Sequence, residues 1–159
     1  MGNEEGKMNK TLLDTTIVSD FLYAKAQGQK DAPAAVFVSR YLQQYGRLEF
    51  SVVTRFEIRR GLLAKNMSEK LATFNAICHA SNIIPLDPAT RSGISYMDVW
   101  REAEEMWALL NKNKKEMKDD ADILIAATAK VYGYDLATRD RDFNLVADII
   151  SVKIIGLKE

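Results

Sequence analysis

Lys118-Asp119-Asp120-Ala121-Asp122-Ile123-Leu124-Ile125-Ala126-Ala127-Thr128-Ala129 sets an acidic cluster directly against a run of small and apolar residues. Ile123, Ala126 and Ala127 fall at helical spacing, as do Leu124, Ala127 and Val131, so the segment reads as a helix that is apolar over much of its girth and lies deep in a core. Carboxylates in the first turn of such a helix are favoured by its dipole by about 0.3–1 kcal/mol each. An N-cap at Asp119 or Asp120 with Asp122 in the first turn accounts for the acids on structural grounds alone. Whether they do chemistry depends on what the rest of the chain brings to them.

Working outward, residues 10–13 form a short apolar run that ends in Asp14, followed by Thr15-Thr16 and the amphipathic stretch 17–22. This is the pattern of a buried strand whose closing aspartate opens a helix, with threonine hydroxyls available for the cap. A second helix is expected over 32–45, ended by Gly46. Residues 48–53 read as a strand, and Thr54 as the cap of a helix over 55–64 that places Glu57 in its first turn. A helix over 68–80, a strand over 83–86 and a long helix over 88–115 follow; Trp100 and Trp107 on the last are expected to pack in the core or against a partner helix. Beyond the acidic helix come a strand over 134–138, a turn over 139–143 and a final strand over 152–155. Alternating strands and helices predict an α/β fold whose largely parallel sheet is covered on both faces. In such sheets the ligand crevice lies outside the carboxyl ends of the strands.

Composition limits the alternatives. The 159 residues fit one domain, with 1–9 as a polar leader, 10–156 as the folded unit, and Met8 as a candidate start. Apolar residues at 47% and charged residues at 28% describe a globular chain. No apolar run approaches the roughly 20 residues of a membrane span and the N-terminus has no signal-peptide core, so a cytoplasmic protein is expected. Cys78 is the only cysteine and His79 the only histidine, which leaves no internal disulfide and too few ligands for a zinc site of the usual kind. Any metal here must be a hard one held by oxygen. Basic and acidic residues balance at 22 each, so net charge supplies no broad nucleic-acid footprint. Charge is nonetheless uneven: Lys112, Lys114, Lys115 and Lys118 precede the acidic cluster, and Arg55, Arg59 and Arg60 surround Glu57. Solvated helix faces account for both runs.

Several acids now share one description. Asp14 follows the first strand, Glu57 lies just beyond the second, Asp122 opens the helix before the fourth, and Asp140 with Asp142 follows that strand. Parallel strands bring these positions to one rim, where like charges repel and raise one another's pKa unless a cation neutralises them. Mg²⁺, which takes one or two carboxylates and keeps its waters, is suited to that task. The chain has no G-x-x-x-x-G-K-[ST] phosphate loop and no nucleophile elbow. What remains is metal-assisted attack of water on a phosphodiester.

The blocks Leu12-Leu13-Asp14-Thr15, Ser51-Val52-Val53-Thr54-Arg55-Phe56-Glu57-Ile58-Arg59-Arg60-Gly61-Leu62, Asp122-Ile123-Leu124-Ile125-Ala126-Ala127-Thr128-Ala129 and Leu136-Ala137-Thr138-Arg139-Asp140-Arg141-Asp142-Phe143 resemble, in order, the motifs of PIN-domain ribonucleases, most closely VapC-type toxins of bacterial toxin–antitoxin systems. The resemblance spans residues 10–156. It implies an α/β/α sandwich, an endoribonuclease dependent on Mg²⁺ or Mn²⁺, a homodimer, and inhibition by a partner antitoxin. It implies Asp14, Glu57 and Asp122 as the main metal-binding acids, Asp140 as the fourth with Asp142 as neighbour or substitute, and Thr15 and Thr138 in support. One departure is that Thr16 stands where the family often has asparagine. The resemblance assigns no role to Asp119 or Asp120.

Other readings stay open at this level. Glu57 can pair with Arg60, its i+3 neighbour, for about 0.2–0.5 kcal/mol, and Asp140 and Asp142 can be turn formers. A catalytically silent PIN-fold interaction protein would keep the fold and lose the acid chemistry. A phosphotransfer enzyme with an aspartyl nucleophile commonly carries a second aspartate two residues on, where this chain has Thr16. Helices 32–45 and 68–80 are candidates for a groove that takes an antitoxin helix by its apolar face.

Overall fold

The computed structural model describes residues 6–87 and 97–156. Strand β1 (Thr11–Leu13) lies at the centre of a five-stranded sheet, between β2 (Leu48–Ser51) and β4 (Asp135–Thr138). Strand β3 (Ser81–Ile84) extends the sheet beyond β2, and β5 (Val152–Ile154) beyond β4. Every pairing is parallel, with Leu12 opposite Glu49 on one side and Leu136 on the other.

Side-chain alternation along the strands divides the core in two. Leu12 and Leu136 face a layer made by α5 (Asp98–Lys112), α6 (Asp120–Tyr132) and a 3₁₀ turn at Arg141–Val146, packed with Val99, Met106, Ile123, Phe143 and Val146. Leu13, Phe50 and Ala137 face the opposite layer, made by α1 (Thr15–Gln27), α2 (Pro33–Tyr45), α3 (Val52–Ala64) and α4 (Ser68–His79). The fold is therefore the expected three-layer α/β/α sandwich. Helix α6 carries its apolar girth as anticipated: Ile123 and all residues from Ile125 to Ala129 are buried, and the small Ala126, Ala127 and Ala129 let it lie close against α5 and the sheet. Gly46 ends α2 in a left-handed conformation with φ 77°, which a side chain would strain.

Three boundaries and the placement of two tryptophans differ from the sequence expectation. The Ser51 hydroxyl accepts the Val53 N–H at 3.0 Å, so α3 starts at Val52, Thr54 lies inside the helix instead of capping it, and Glu57 falls in the second turn. Strand β3 runs over Ser81–Ile84 and not 83–86, because it pairs Ser81 with Leu48 and Ile84 with Ser51 and then meets Pro85, which has no N–H to donate. The long helix expected over 88–115 is observed as Asp98–Lys112, and 88–96 lie outside the described residues. Trp100 and Trp107 are not core residues: they are 37% and 51% exposed on the outer face of α5, because Val99, Ala103, Met106 and Leu110 fill its inner face.

Met8 lies in the stretch read as a leader, yet it is buried; its N–H donates to Gln44 Oε1 at 2.8 Å and its carbonyl accepts from Gln44 Nε2 at 2.7 Å and from the Tyr45 hydroxyl. At the same amino end of the sheet, Glu49 is a buried charge with a full set of partners. Its Oε1 accepts from Lys10 Nζ at 2.9 Å and Asn82 Nδ2 at 3.1 Å, and its Oε2 from the Tyr41 hydroxyl, which in turn accepts the Thr11 N–H at 3.1 Å. No helix among the described residues is long and apolar enough to cross a membrane.

Candidate active site

Chain crossings run from β1 to β2 and β3 in one direction and to β4 and β5 in the other, so the topological switch lies between β1 and β4. Asp14 stands at the carboxyl end of β1 and Thr138 at the end of β4. Asp14 is the N-cap of α1 and only 1% exposed. Its Oδ2 accepts from the Thr138 hydroxyl at 2.7 Å, the Thr16 hydroxyl at 2.8 Å and the Thr16 N–H at 3.4 Å. Each hydroxyl donates to Asp14 because an ionised carboxylate only accepts, and each also accepts a backbone N–H at 2.9 Å, Thr16 from Arg139 and Thr138 from Asp140. Asp14 Oδ1 is buried and has no partner.

Glu57 joins from α3 through a second hydroxyl pair. Thr15 Oγ1 donates to Glu57 Oε1 at 2.8 Å, and Thr54, fully buried, lies 3.0 Å from the same hydroxyl. Because the Thr15 proton is engaged by the carboxylate, Thr54 is the donor in that contact. Glu57 does not pair with Arg60, whose guanidinium instead lies 4.8 Å from the centre of the Phe56 ring. A cavity of about 410 Å³ opens beside Glu57, with Val53 and Leu124 in its walls and Asp119 on its rim.

Asp119 caps α6 by accepting the Ala121 N–H at 3.0 Å, which places Asp120 and Asp122 in the first turn. Asp122 is the residue on which the rim converges. Burial first, then the charges of Asp14, Asp119, Asp140 and Glu57, push its carboxyl up to about 7. Asp14 is also raised by burial, against the opposing effect of its hydroxyl and backbone donors. Asp140 caps the 3₁₀ turn, its Oδ1 accepting the Asp142 N–H at 2.9 Å, so Asp142 follows Asp140 round the turn. Asp120 is exposed. Sequence reasoning read Thr16 and Thr54 as helix caps and not as hydrogen-bond partners in this site. Thr54 had a signal, since it lies three residues before Glu57 on one helical face.

The donor set is entirely oxygen, as Mg²⁺ and Mn²⁺ prefer. An orphaned, buried Asp14 Oδ1 and a carboxyl raised by its acidic neighbours are both relieved by a divalent cation, so the residues fit one. Asp14, Glu57, Asp122 and Asp140 are the ones that would hold it. Among the described residues no three Asp, Glu, His or Cys side chains are gathered closely enough to form a ready-made ligand cage; carboxylates at a rim without a counter-charge stand apart.

Comparison with known proteins agrees with the geometry. The PIN domain family model matches residues 11–149. The DNA-bound VapBC of Salmonella typhimurium is 17% identical, with 92% of this chain and 98% of that one covered at a TM-score of 0.71. FitAcB of Neisseria gonorrhoeae is 23% identical over 89% and 95%, with a TM-score of 0.68. VapBC-5 of Mycobacterium tuberculosis, a toxin–antitoxin family member, is 23% identical over 94% and 100%, with a TM-score of 0.62. No curated protein sequence matches. A doubly wound parallel sheet with a buried aspartate at its switch point, and a family match over most of its length, place this chain in the PIN domain family.

Proposed function

We propose that this protein is a Mg²⁺- or Mn²⁺-dependent endoribonuclease and the toxin of a type II toxin–antitoxin pair, acting in the cytoplasm. The observation that carries the reading is Asp122, whose carboxyl is raised to about 7 by burial, by Asp14, Asp140 and Glu57 from other elements, and by Asp119 at the cap of its own helix. An ion bound there supplies positive charge for the carboxylates and the phosphodiester and acidifies a water for in-line attack.

The chain's own residues prepare that site. Thr138 and Thr16 donate to Asp14 Oδ2 and leave the buried Oδ1 without a partner. Thr15, held by Thr54, fixes Glu57 through Oε1 and leaves Oε2 available. Asp122 and Asp140 complete the set, with Asp142 one turn residue away as a substitute for Asp140. Asp119 shapes the helix end as its cap.

An antitoxin is the proposed protein partner, as the toxin–antitoxin complexes among the structural relatives suggest. Its helix has a seat in a cavity of about 320 Å³ between Leu42 of α2 and Ala76 and Ile77 of α4, with Phe21 of α1 alongside. Phe56 and Leu63, exposed and seven residues apart on α3, support a homodimer face.

The reading is tested by incubating the purified, antitoxin-free protein with RNA and Mg²⁺ or Mn²⁺. Cleavage that stops on chelation and in Asp122→Asn is the expected result; intact RNA under all conditions overturns it. A second reading, a catalytically silent PIN-fold interaction protein, draws on the absence of a ready-made ligand cage among the described residues. Titration with Mn²⁺ separates the two, since only the nuclease has to bind it.

A further inference from the structure

Three cavities share lining residues in succession, starting at Glu57. The cavity of about 410 Å³ next to Glu57 has Leu124 in its wall. A second, of about 320 Å³, is also lined by Leu124, together with Trp100 and Trp107. A third, of about 310 Å³, shares Trp107 and is lined by Lys114 and Lys115, with Glu116 as the one acid against these two cations. The turn after α5 brings those lysines back beside the ring: Lys114 adopts φ 56° and the Lys115 N–H returns to the Leu110 carbonyl at 2.9 Å. Among the described residues neither lysine is in an ion pair. Trp100 is held in place by its indole N–H, which donates to Asp87 at 2.9 Å, while half of Trp107 is exposed.

Charge along this track selects its occupant. Glu104 and Asp120 stand at the apolar seat, where they repel a phosphate but can accept hydrogen bonds from base N–H groups. Lys114 and Lys115 stand on the far side of Trp107, where a phosphate is favoured. A flat uncharged group next to an anion is the repeating unit of a single nucleic-acid strand, and an exposed indole beside lysines is how such strands are commonly held.

We infer that the outer face of α5 binds unpaired nucleotides of the RNA substrate, with a base stacked on Trp107 and its flanking phosphate on Lys114 and Lys115. The inference rests on the nuclease reading for its substrate and adds that the strand beside the scissile bond must be single.

The test is fluorescence anisotropy of a short labelled oligoadenylate on the Asp122→Asn protein in Mg²⁺. Trp107→Ala in that background should weaken binding about 5- to 150-fold, as removal of one stacked base does, and Trp107→Phe should restore much of it. Lys114→Gln with Lys115→Gln should make the fall of log affinity with log salt shallower by about 0.7 for each phosphate no longer neutralised. A duplex of the same sequence should bind equally well whether Trp107 is kept or replaced by alanine. Unchanged oligoadenylate affinity in Trp107→Ala overturns the inference, while cleavage of RNA by the parent would leave the nuclease reading standing. Conversion of a dimer to a monomer by Trp107→Ala, with oligoadenylate affinity unaltered, also overturns it and makes the face a protein interface. A protein that neither binds oligoadenylate nor cleaves RNA fails at the underlying reading.

Discussion

The Thr138 hydroxyl lies 2.7 Å from Asp14 Oδ2 and joins the ends of β4 and β1 across 124 residues of sequence. The same hydroxyl accepts the Asp140 N–H, and its one proton goes to Asp14 because an ionised carboxylate only accepts. The carboxylate is thus satisfied on one oxygen and orphaned on the other, inside a core. A buried acceptor with nothing to accept costs stability, by about 1–3 kcal/mol for an ordinary polar group. That cost is tolerable if a ligand removes it.

The metal-free protein should therefore be more stable in mild acid. Burial raises Asp14, and burial with four neighbouring acids raises Asp122 to about 7. Both folded values lie above the unfolded ones, so the native state binds more protons than the unfolded chain, and stability grows as pH falls through the folded values. Thermal melts in EDTA should show the melting temperature rising from about pH 8 to about pH 6, with about 2–4 °C for each kcal/mol gained. Asp122→Asn should flatten that dependence. A melting temperature that falls over this range would mean that the acids are not crowded.

Mn²⁺ should raise the melting temperature of the parent, and Asp14→Asn or Asp122→Asn should abolish the rise. Binding to the native state alone stabilises by about 2.7 kcal/mol at a hundredfold excess over Kd. In EDTA both variants should melt at or above the parent, because each removes a charge from a repelling set. Unfolding of either variant without metal would identify a structural carboxylate instead.

Removing the Thr138 hydroxyl should cost both stability and metal. Thr138→Val takes one donor from Asp14 and leaves the Asp140 N–H without its acceptor. Stability should drop by about 1–3 kcal/mol. Mn²⁺ affinity measured by calorimetry should fall about 10- to 100-fold, the usual effect of losing a group that orients a ligand. Thr138→Ser, which keeps the hydroxyl, should recover the affinity; a Ser variant as weak as the Val variant would show that only packing had changed.

The placement of Asp14 and Asp140 just past strands and of Asp122 in a first helical turn was readable from the sequence because these are local patterns, whereas Glu57 lies a turn further along its helix than expected. Their supporting hydroxyls were harder to see. Thr16 meets the Arg139 N–H and Thr54 meets Thr15, partners 123 and 39 residues away that only the strand order makes neighbours. Thr54 was also misread because the β-branched Val52-Val53 pair favours a strand, and the Ser51 hydroxyl overrode that preference by capping the helix two residues earlier. Of the two places expected for Trp100 and Trp107, the core is ruled out because Val99, Ala103, Met106 and Leu110 already supply α5 with a complete inner face. Glu49 left no signal at all, since a charge inside a strand is legible only with its partners.

Those partners allow stability to be separated from function. Tyr41 bridges Glu49 and the Thr11 N–H at the amino end of β1, while Asp14 closes the carboxyl end of the same strand. Tyr41→Phe preserves the ring and removes only the hydroxyl, so Glu49 Oε2 loses its donor and Thr11 its acceptor, with Lys10 still in place at 2.9 Å from Oε1. The loss should be about 1–3 kcal/mol, read as a lower melting temperature with an unchanged Mn²⁺-induced rise. RNA cleavage measured well below the melting transition should equal that of the parent. If cleavage fell while the rise with Mn²⁺ persisted, the two ends of β1 would be mechanically coupled, and the acid rim would depend on a buried glutamate at the far side of the sheet.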